Sequence, residues 1–116
     1  MRLDVVYYTT ATGRNLIAEF LDALDDAAAA KCLEVIGWLE TGEIDRHPKA
    51  RDHLDGPIWE LRVRHSGEQY RFLYAVSHGR AFLVVPLHKK TQKIERRDIE
   101  RAKERFEDLI GRGAVS

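Results

Sequence analysis

The sequence contains one cysteine and no apolar run of about 18 residues, the minimum for a membrane span. A single cysteine excludes an internal disulfide, and Cys32 falls within an apolar helical pattern, which favours a buried core thiol over a catalytic one. The missing apolar run argues against a transmembrane helix. The first residues lack the length and apolar core of a secretory signal peptide, so we expect a cytoplasmic protein with no membrane partner.

Common motifs for metal and nucleotide chemistry are also missing. The five histidines are His47, His53, His65, His78 and His88. None has a His-x3-His spacing or a second cysteine beside it, so we expect no metal site and no cofactor. The chain has no Gly-x-Ser-x-Gly elbow, no Walker loop and no dinucleotide-binding glycine fingerprint.

Hydrophobic periodicity predicts a strand followed by two helices in the N-terminal part. The apolar, β-branched and aromatic run Leu3–Tyr8 predicts the strand. From Asn15 onward, apolar residues recur at three- and four-residue steps, which indicates a helix. Asp25 and Asp26 can cap a second helix with the same period, and Gly42 ends it.

Alternating strands and tight turns dominate the second half of the sequence. Residues 42–56 show little periodicity, which predicts a surface loop. The predicted strands are Ile58–His65, Glu68–Ser77 and Ala81–His88, joined by turns at Ser66-Gly67 and His78-Gly79. Thr91 is predicted to open a C-terminal helix.

The resulting order β-α-α-β-β-β-α predicts one α+β domain over residues 1–116. We expect a small antiparallel sheet with the two N-terminal helices packed on one face, and a C-terminal helix. If the helices share one face, the other face of the sheet stays open and carries the outward-pointing strand residues.

Formal charge is divided unevenly along the chain, although its total is zero. Residues 57–93 carry seven lysines and arginines against two carboxylates, a net charge of +5. Residues 1–45 carry three against nine, a net charge of −6. We therefore expect a basic sheet and an acidic helical side, and the basic side favours a polyanionic partner.

Side-chain alternation gathers the cations of the strand at residues 58–65 on one side. The apolar side consists of Trp59, Leu61 and Val63, and the charged side of Glu60, Arg62 and Arg64. The apolar set is predicted to lie in the core.

Arg71 lies on the neighbouring strand, where alternation alone does not identify the buried face. Tyr70, Phe72 and Tyr74 face one way, and Arg71, Leu73 and Ala75 the other. If Arg71 shares the side of Arg62, their guanidinium groups can converge on one anion such as a phosphate. The alternative is that Glu60 pairs with Arg62 or Arg71 in solvated ion pairs. The excess of cations favours the anion site.

Four segments together carry a family pattern. They are Gly56–Arg64, Gln69–Phe72, Lys89–Lys93 and Arg97–Ala102. The first contains Trp-Glu-Leu-Arg, the second Tyr-Arg and the third Lys-Lys-Thr-Gln-Lys. In order and spacing they resemble the HigB-like, phage-associated branch of the RelE/ParE toxin superfamily, over nearly the whole chain and most sharply over residues 56–102.

This resemblance implies the toxin of a type II toxin–antitoxin system. It implies a metal-independent endoribonuclease that cleaves mRNA, usually on the ribosome, and a helix-turn-helix antitoxin that binds and silences it. Through the antitoxin, promoter DNA becomes a further partner. The implied fold, a small antiparallel sheet backed by two N-terminal helices, agrees with the fold predicted from the pattern.

In such a reaction a 2′-hydroxyl attacks the adjacent phosphate, and cations stabilise the phosphorane. Arg62 and Arg71 match the strand arginines of the family, and the resemblance implies this role for them. Lys89 matches the family's Lys-Lys pair and is expected to contact the phosphate. Proton transfer is expected from His88 or Lys90.

The remaining predicted contacts lie around these residues. His53 is a loop candidate for proton transfer or RNA binding. Flanking phosphates or ribosomal RNA are expected to contact Arg64, Arg80 and Lys93. Two other functions stay open: a ParE-type protein inhibitor that poisons gyrase, and a non-enzymatic phage-derived binding module that acts in a repressor complex.

Overall fold

The structure, a computed structural model, describes residues 1–88 and 93–115. In this part of the chain the strands are β1 (Asp4–Tyr7), β2 (Arg51–Asp55), β3 (Ile58–His65), β4 (Glu68–Ser77) and β5 (Arg80–His88). The α-helices are α1 (Leu16–Asp22), α2 (Asp26–Thr41) and α3 (Arg96–Gly111). The predicted α+β class is confirmed.

The strands form one mixed sheet in the order β1-β5-β4-β3-β2. Strands β2 to β5 form an antiparallel meander, whereas β1 runs parallel to β5, from Asp4 opposite Arg80 to Tyr7 opposite Leu83. The prediction of a purely antiparallel sheet was therefore wrong at one edge. After β1 the chain crosses over through α1 and α2 before the meander begins, and this crossover lets β1 lie parallel to the last strand.

Side-chain caps begin both N-terminal helices, and the cap of α2 by Asp25 is the one that was predicted. The backbone N–H of Ala18 donates to Oδ1 of Asn15 at 3.0 Å, and that of Ala28 donates to Oδ1 of Asp25 at 2.8 Å. These bonds satisfy N–H groups that the first helical turn leaves without partners. Gly42 caps the C-terminus of helix α2, and its φ of +86° is the left-handed conformation that glycine adopts readily.

Two-residue turns fix the register of β3, β4 and β5. Both residues of Ser66-Gly67 and both of His78-Gly79 have positive φ, the pattern of hairpin turns that match strand twist. Strands β3 and β4 have the predicted bounds, and β5 begins one residue earlier than predicted. The first turn places Arg62 directly opposite Arg71.

The segment predicted as a loop contains β2 and two short 3-10 helices, Glu43–Arg46 and Pro48–Ala50. Strand β2 was missed because it is an edge strand of mostly polar residues, in which only Leu54 packs on the core. One apolar side chain in five residues leaves no alternating pattern to detect.

Helices cover both faces of the sheet. Helices α1 and α2 cover the face that carries Leu61 and Phe72, while α3 packs Phe106 on the opposite face beside Leu73 and Phe82. The expectation of one open face was wrong because β4 and β5 are apolar on both sides, so both sides need cover.

The beginning of α3 also differs from the prediction. The helix begins at Arg96, and residues 93–95 are not helical. Thr91, the predicted start, lies outside the described residues. Among the helices that the structure describes, none has both the length and the apolar character that a membrane crossing requires.

Candidate functional site

Arg62 and Arg71 lie on the same face of the sheet and converge on one carboxylate. Nη1 of Arg71 donates to Oε2 of Glu60 at 2.7 Å, and Nε of Arg62 donates to Oε1 of the same residue at 2.6 Å. Each guanidinium therefore occupies a different oxygen of Glu60. We call Glu60, Arg62 and Arg71 the arginine cluster. The two arginines converge as expected, and the anion between them is Glu60, the partner named in the alternative; binding of an external anion such as a phosphate stays a prediction.

Burial divides the arginine cluster into an inner and an outer part. The side chains of Glu60 and Arg71 are each 1% exposed, whereas that of Arg62 is 33% exposed. Inside, Nη2 of Arg71 donates to Oε1 of Gln69 at 3.0 Å. Outside, Nη2 of Arg62 donates to the exposed Asp52 at 3.1 Å. The inner pair is thus part of the protein interior and not a solvated ion pair, while Arg62 reaches the surface.

A groove of about 640 Å³ opens beside Arg62. Its lining residues are Lys31, Val35, Trp38, Arg46, His47, Pro48, Lys49, Ala50, Arg62 and Arg64. We call it the basic groove, because five of these residues are lysine or arginine and none of the described lining residues is an aspartate or glutamate.

The basic groove exists because β2 is shorter than β3. Strand β2 begins at Arg51, opposite Leu61. Residues 62–65 of β3 therefore have no paired strand on that side. Helix α2 and the two 3-10 helices flank this open strand end. Nη1 of Arg62 donates to the backbone carbonyl of Lys49 at 3.4 Å, so Arg62 belongs to both the groove and the arginine cluster.

The lysines and arginines of the basic groove differ in whether a nearby carboxylate neutralises their charge. Lys31 pairs with Glu34 at 2.6 Å on the exposed surface of α2. Arg46 approaches Glu43 only to 4.0 Å. Arg64 and Lys49 form no ion pair with any residue in the described ranges 1–88 and 93–115.

An aromatic pair lies in the wall of the basic groove. The rings of Trp38 and His47 are stacked, with centroids 3.9 Å apart and planes 10° apart. Nζ of Lys31 lies 5.7 Å from the centroid of the Trp38 ring. One face of the indole is therefore covered by the imidazole.

The two candidate histidines for proton transfer lie away from the arginine cluster. His88 packs on Tyr70 with ring centroids 4.7 Å apart and lies 3.2 Å from Glu68, on the face covered by α1 and α2. The partner of Arg71 in β5 is Leu87, so His88, one residue further, points to the opposite face.

His53 is also on the other side of β3. It lies opposite Trp59, its ring is 5.0 Å from that indole, and Nε2 is 2.7 Å from the carbonyl oxygen of Gly56. Since Trp59 packs with the core below α1 and α2, His53 does not join Arg62.

Among the predicted basic contacts that the structure describes, Arg64 alone lines the basic groove together with Arg62. Arg80 lies at the far end of β5, about 23 Å from Leu87 at about 3.3 Å per residue. Lys93 is exposed. Lys89 and Lys90, with the rest of the predicted Lys-Lys-Thr-Gln segment, lie outside the described residues.

Four of the lysine, arginine and tryptophan residues that line the groove were not predicted from the sequence. They are Lys31, Trp38, Arg46 and Lys49. Two signals point to them: Lys31 and Trp38 are seven residues apart, hence on one side of a helix, and Arg-His-Pro-Lys at 46–49 is a short basic run.

Neither a metal site nor a reactive thiol is found among the described residues. No group of three or more histidine, cysteine, aspartate or glutamate side chains there is arranged to hold a metal ion. Cys32 is fully buried, and burial raises the pKa of its thiol to about 11, which keeps it protonated at neutral pH. The prediction of a core thiol is confirmed.

Comparison with known proteins places the chain in a family. No curated protein matches it significantly. The family model described as "Phage derived protein Gp49-like (DUF891)" matches residues 19–107, which include the arginine cluster and the basic groove. This match covers well over half of the chain. The protein therefore belongs to the Gp49-like family of phage-derived proteins, a RelE/HigB-like toxin family.

Proposed function

We propose that this protein is the toxin of a type II toxin–antitoxin system, of the HigB-like branch, and that it cleaves mRNA on the ribosome without a metal ion. Family membership supports the toxin assignment. The observation that carries the choice of RNA is the arginine cluster. In it, two guanidinium groups from neighbouring strands meet beside a groove whose described lining residues include no carboxylate.

The proposed reaction is an internal transesterification. The 2′-oxygen forms a bond to the adjacent phosphorus and loses its proton, the bond from phosphorus to the 5′-oxygen breaks, and that oxygen gains a proton. The products are a 2′,3′-cyclic phosphate and a 5′-hydroxyl end. The pentacoordinate intermediate carries extra negative charge, so a fixed cation lowers the barrier.

Arg62 is the residue to which we assign phosphorane stabilisation. It is the surface member of the arginine cluster, and its only acid partner besides Glu60 among the described residues is Asp52, whose side chain is 57% exposed. An exposed ion pair of this kind is weak and can be exchanged for a phosphate.

Arg71 is proposed to act as a positioning residue. Its side chain is 1% exposed, and it holds the Glu60 oxygen opposite to the one that Arg62 contacts. Arg71 therefore acts on the phosphate indirectly: it holds Glu60, and Glu60 orients Arg62. This differs from the sequence-based expectation of direct contact, because burial removes Arg71 from the surface.

Proton transfer and the second phosphate contact are proposed on the family resemblance. Lys89 is assigned to the phosphate, and Lys90 to protonation of the leaving 5′-oxygen. His88 and His53 are not retained for this role, because both lie on the opposite face of the sheet from Arg62.

The proposed partners follow from the toxin assignment. A helix-turn-helix antitoxin is expected to bind and silence the protein in the cytoplasm, and the complex to contact promoter DNA through the antitoxin. The ribosome is expected to present the mRNA.

The test is to incubate the purified protein with ribosomes and a defined mRNA, and to map the new RNA ends. We expect cuts within the translated sequence that leave 5′-hydroxyl ends. Intact mRNA at stoichiometric ribosome loading would overturn the proposal. Intact mRNA together with an SOS response on induction would instead indicate gyrase poisoning.

A further inference from the structure

We propose that the basic groove binds single-stranded RNA that flanks the cleavage position, through its phosphates. The inference rests on the proposed function, because it takes Arg62 as the point at which the groove and the reaction site meet. The groove residues outside β3 belong to α2 and to the segment 46–50, which no functional assignment above uses.

Charge is the first reason for this assignment. The groove is lined by five lysines and arginines and, among the described residues, by no acid. Arg64 and Lys49 have no ion pair in the described part of the chain, so no internal carboxylate has to be displaced when a phosphate binds them. Three guanidinium groups, on Arg46, Arg62 and Arg64, can each bind phosphate oxygens in bidentate fashion.

Continuity with the arginine cluster is the second reason. Arg62 contacts Glu60 with Nε and the Lys49 carbonyl with Nη1, so one side chain joins the two sites. An RNA strand whose scissile phosphate lies at Arg62 has further nucleotides on at least one side of that phosphate. The groove runs from Arg62 along the unpaired end of β3, so these nucleotides would lie beside Arg64 and the 3-10 helices.

The aromatic pair indicates what kind of recognition to expect. His47 already stacks on one face of Trp38, so a base cannot stack on both faces of this indole. The apolar lining residues Val35, Pro48 and Ala50 have no side-chain hydrogen-bonding group that could read a base edge. We therefore infer phosphate binding with little preference for base sequence.

The experiment measures binding by fluorescence anisotropy, with a short fluorescein-labelled single-stranded RNA whose 2′-positions are methylated to prevent cleavage. Lys49→Glu and Arg64→Glu are the groove variants. Arg101→Glu is the matched control, because Arg101 is an exposed arginine of α3 outside the groove. Equal melting temperatures would show that all the variants are folded, as expected for exposed positions.

Each groove variant is expected to raise Kd about tenfold or more, since charge reversal removes a cation that binds a phosphate and adds repulsion, while the control changes Kd much less. The salt dependence of binding should also weaken, with the slope of log K against log salt falling by about 0.7 for each phosphate that the variant no longer neutralises. Equal effects of groove and control variants would overturn the inference.

Two further outcomes separate the inference from the proposed function and from another partner. Groove-dependent RNA binding by a protein that leaves mRNA intact would uphold the groove and refute the nuclease. Cleavage of mRNA with unchanged RNA binding in both groove variants would refute the groove alone. Failure to bind RNA, with groove-dependent binding of a labelled polyglutamate peptide, would overturn the inference in favour of an acidic protein segment.

Discussion

Nη1 of Arg71 lies 2.7 Å from Oε2 of Glu60, and the two side chains are each only 1% exposed. The other oxygen of Glu60 accepts from Arg62, which reaches the surface. A buried ion pair therefore lies directly behind the residue to which we assign catalysis. Since breaking such a pair leaves an uncompensated interior charge, stability and activity are linked at this position.

We expect Glu60→Gln to destabilise the protein by about 3–5 kcal/mol, because it removes the buried charge that pairs with Arg71. Urea unfolding at neutral pH measures this change. The control is Asp52→Asn, which removes the exposed partner of the same Arg62 and should cost less than about 1 kcal/mol. Equal losses in the two variants would show that burial does not determine the strength of the pair.

A double substitution separates the structural role of the inner pair from its functional one. Replacing both members with apolar residues, Glu60→Leu with Arg71→Met, removes the buried charges together and should be more stable than either single variant. It should still lose cleavage, because Arg62 loses the carboxylate that orients it. Urea unfolding and mRNA cleavage are measured on the same preparations. Recovery of both stability and cleavage would refute the positioning role of Arg71.

Cys32 should resist alkylation in the native protein. Its side chain is fully buried, and burial raises the pKa of the thiol to about 11. At neutral pH the reagent therefore cannot reach the sulfur, and the sulfur is not ionised. Mass spectrometry after iodoacetamide treatment should show no adduct in buffer and complete modification in urea. Rapid modification without urea would contradict the packing of α2 on the sheet.

Asp55 should contribute to the loss of stability in acid. Hydrogen bonds from Lys103 at 2.6 Å and Arg96 at 2.9 Å hold the pKa of this carboxyl below its usual value in the folded protein. The stabilisation is therefore present above the unfolded pKa of about 3.9 and is lost as the pH falls through the lower folded pKa.

Urea unfolding from neutral pH into this acid range tests the contribution of Asp55. Asp55→Asn should be less stable than the native protein at neutral pH, and the difference should shrink in acid. Glu107→Gln is the control, because Glu107 is exposed and forms no ion pair in the described part of the chain. A constant difference for Asp55→Asn at every pH would contradict the linkage.

Much of the fold follows from local signals. The bounds of β3 and β4 were predicted because Ser66-Gly67 and His78-Gly79 require positive φ and mark the strand ends. Strand β2 escaped prediction because an edge strand needs little apolar surface. Strands β4 and β5 are apolar on both sides, and α1 and α2 cover only one of them. Helix α3 packs on the other side, a choice that depends on tertiary packing and not on the local sequence.

The candidate site was only partly predictable. Alternation left open whether Arg62 and Arg71 share one face, and the register of the β3–β4 hairpin places them there. The same alternation assigns His88 to the opposite face once its register with Tyr70 is known. The basic groove brings together Lys31, the segment 46–50 and the end of β3, and their proximity depends on how α2 and the 3-10 helices pack around an open strand edge.

The most direct test of Arg62 as the phosphorane-stabilising residue is the rate at which ribosome-bound mRNA is cleaved by Arg62→Ala, compared with Arg101→Ala as a matched exposed arginine. We predict that Arg62→Ala lowers the rate about 10²–10³-fold, the loss expected for one transition-state donor, while it folds normally and the control cleaves like the native protein. A folded Arg62→Ala protein that cleaves at the native rate would contradict the assignment.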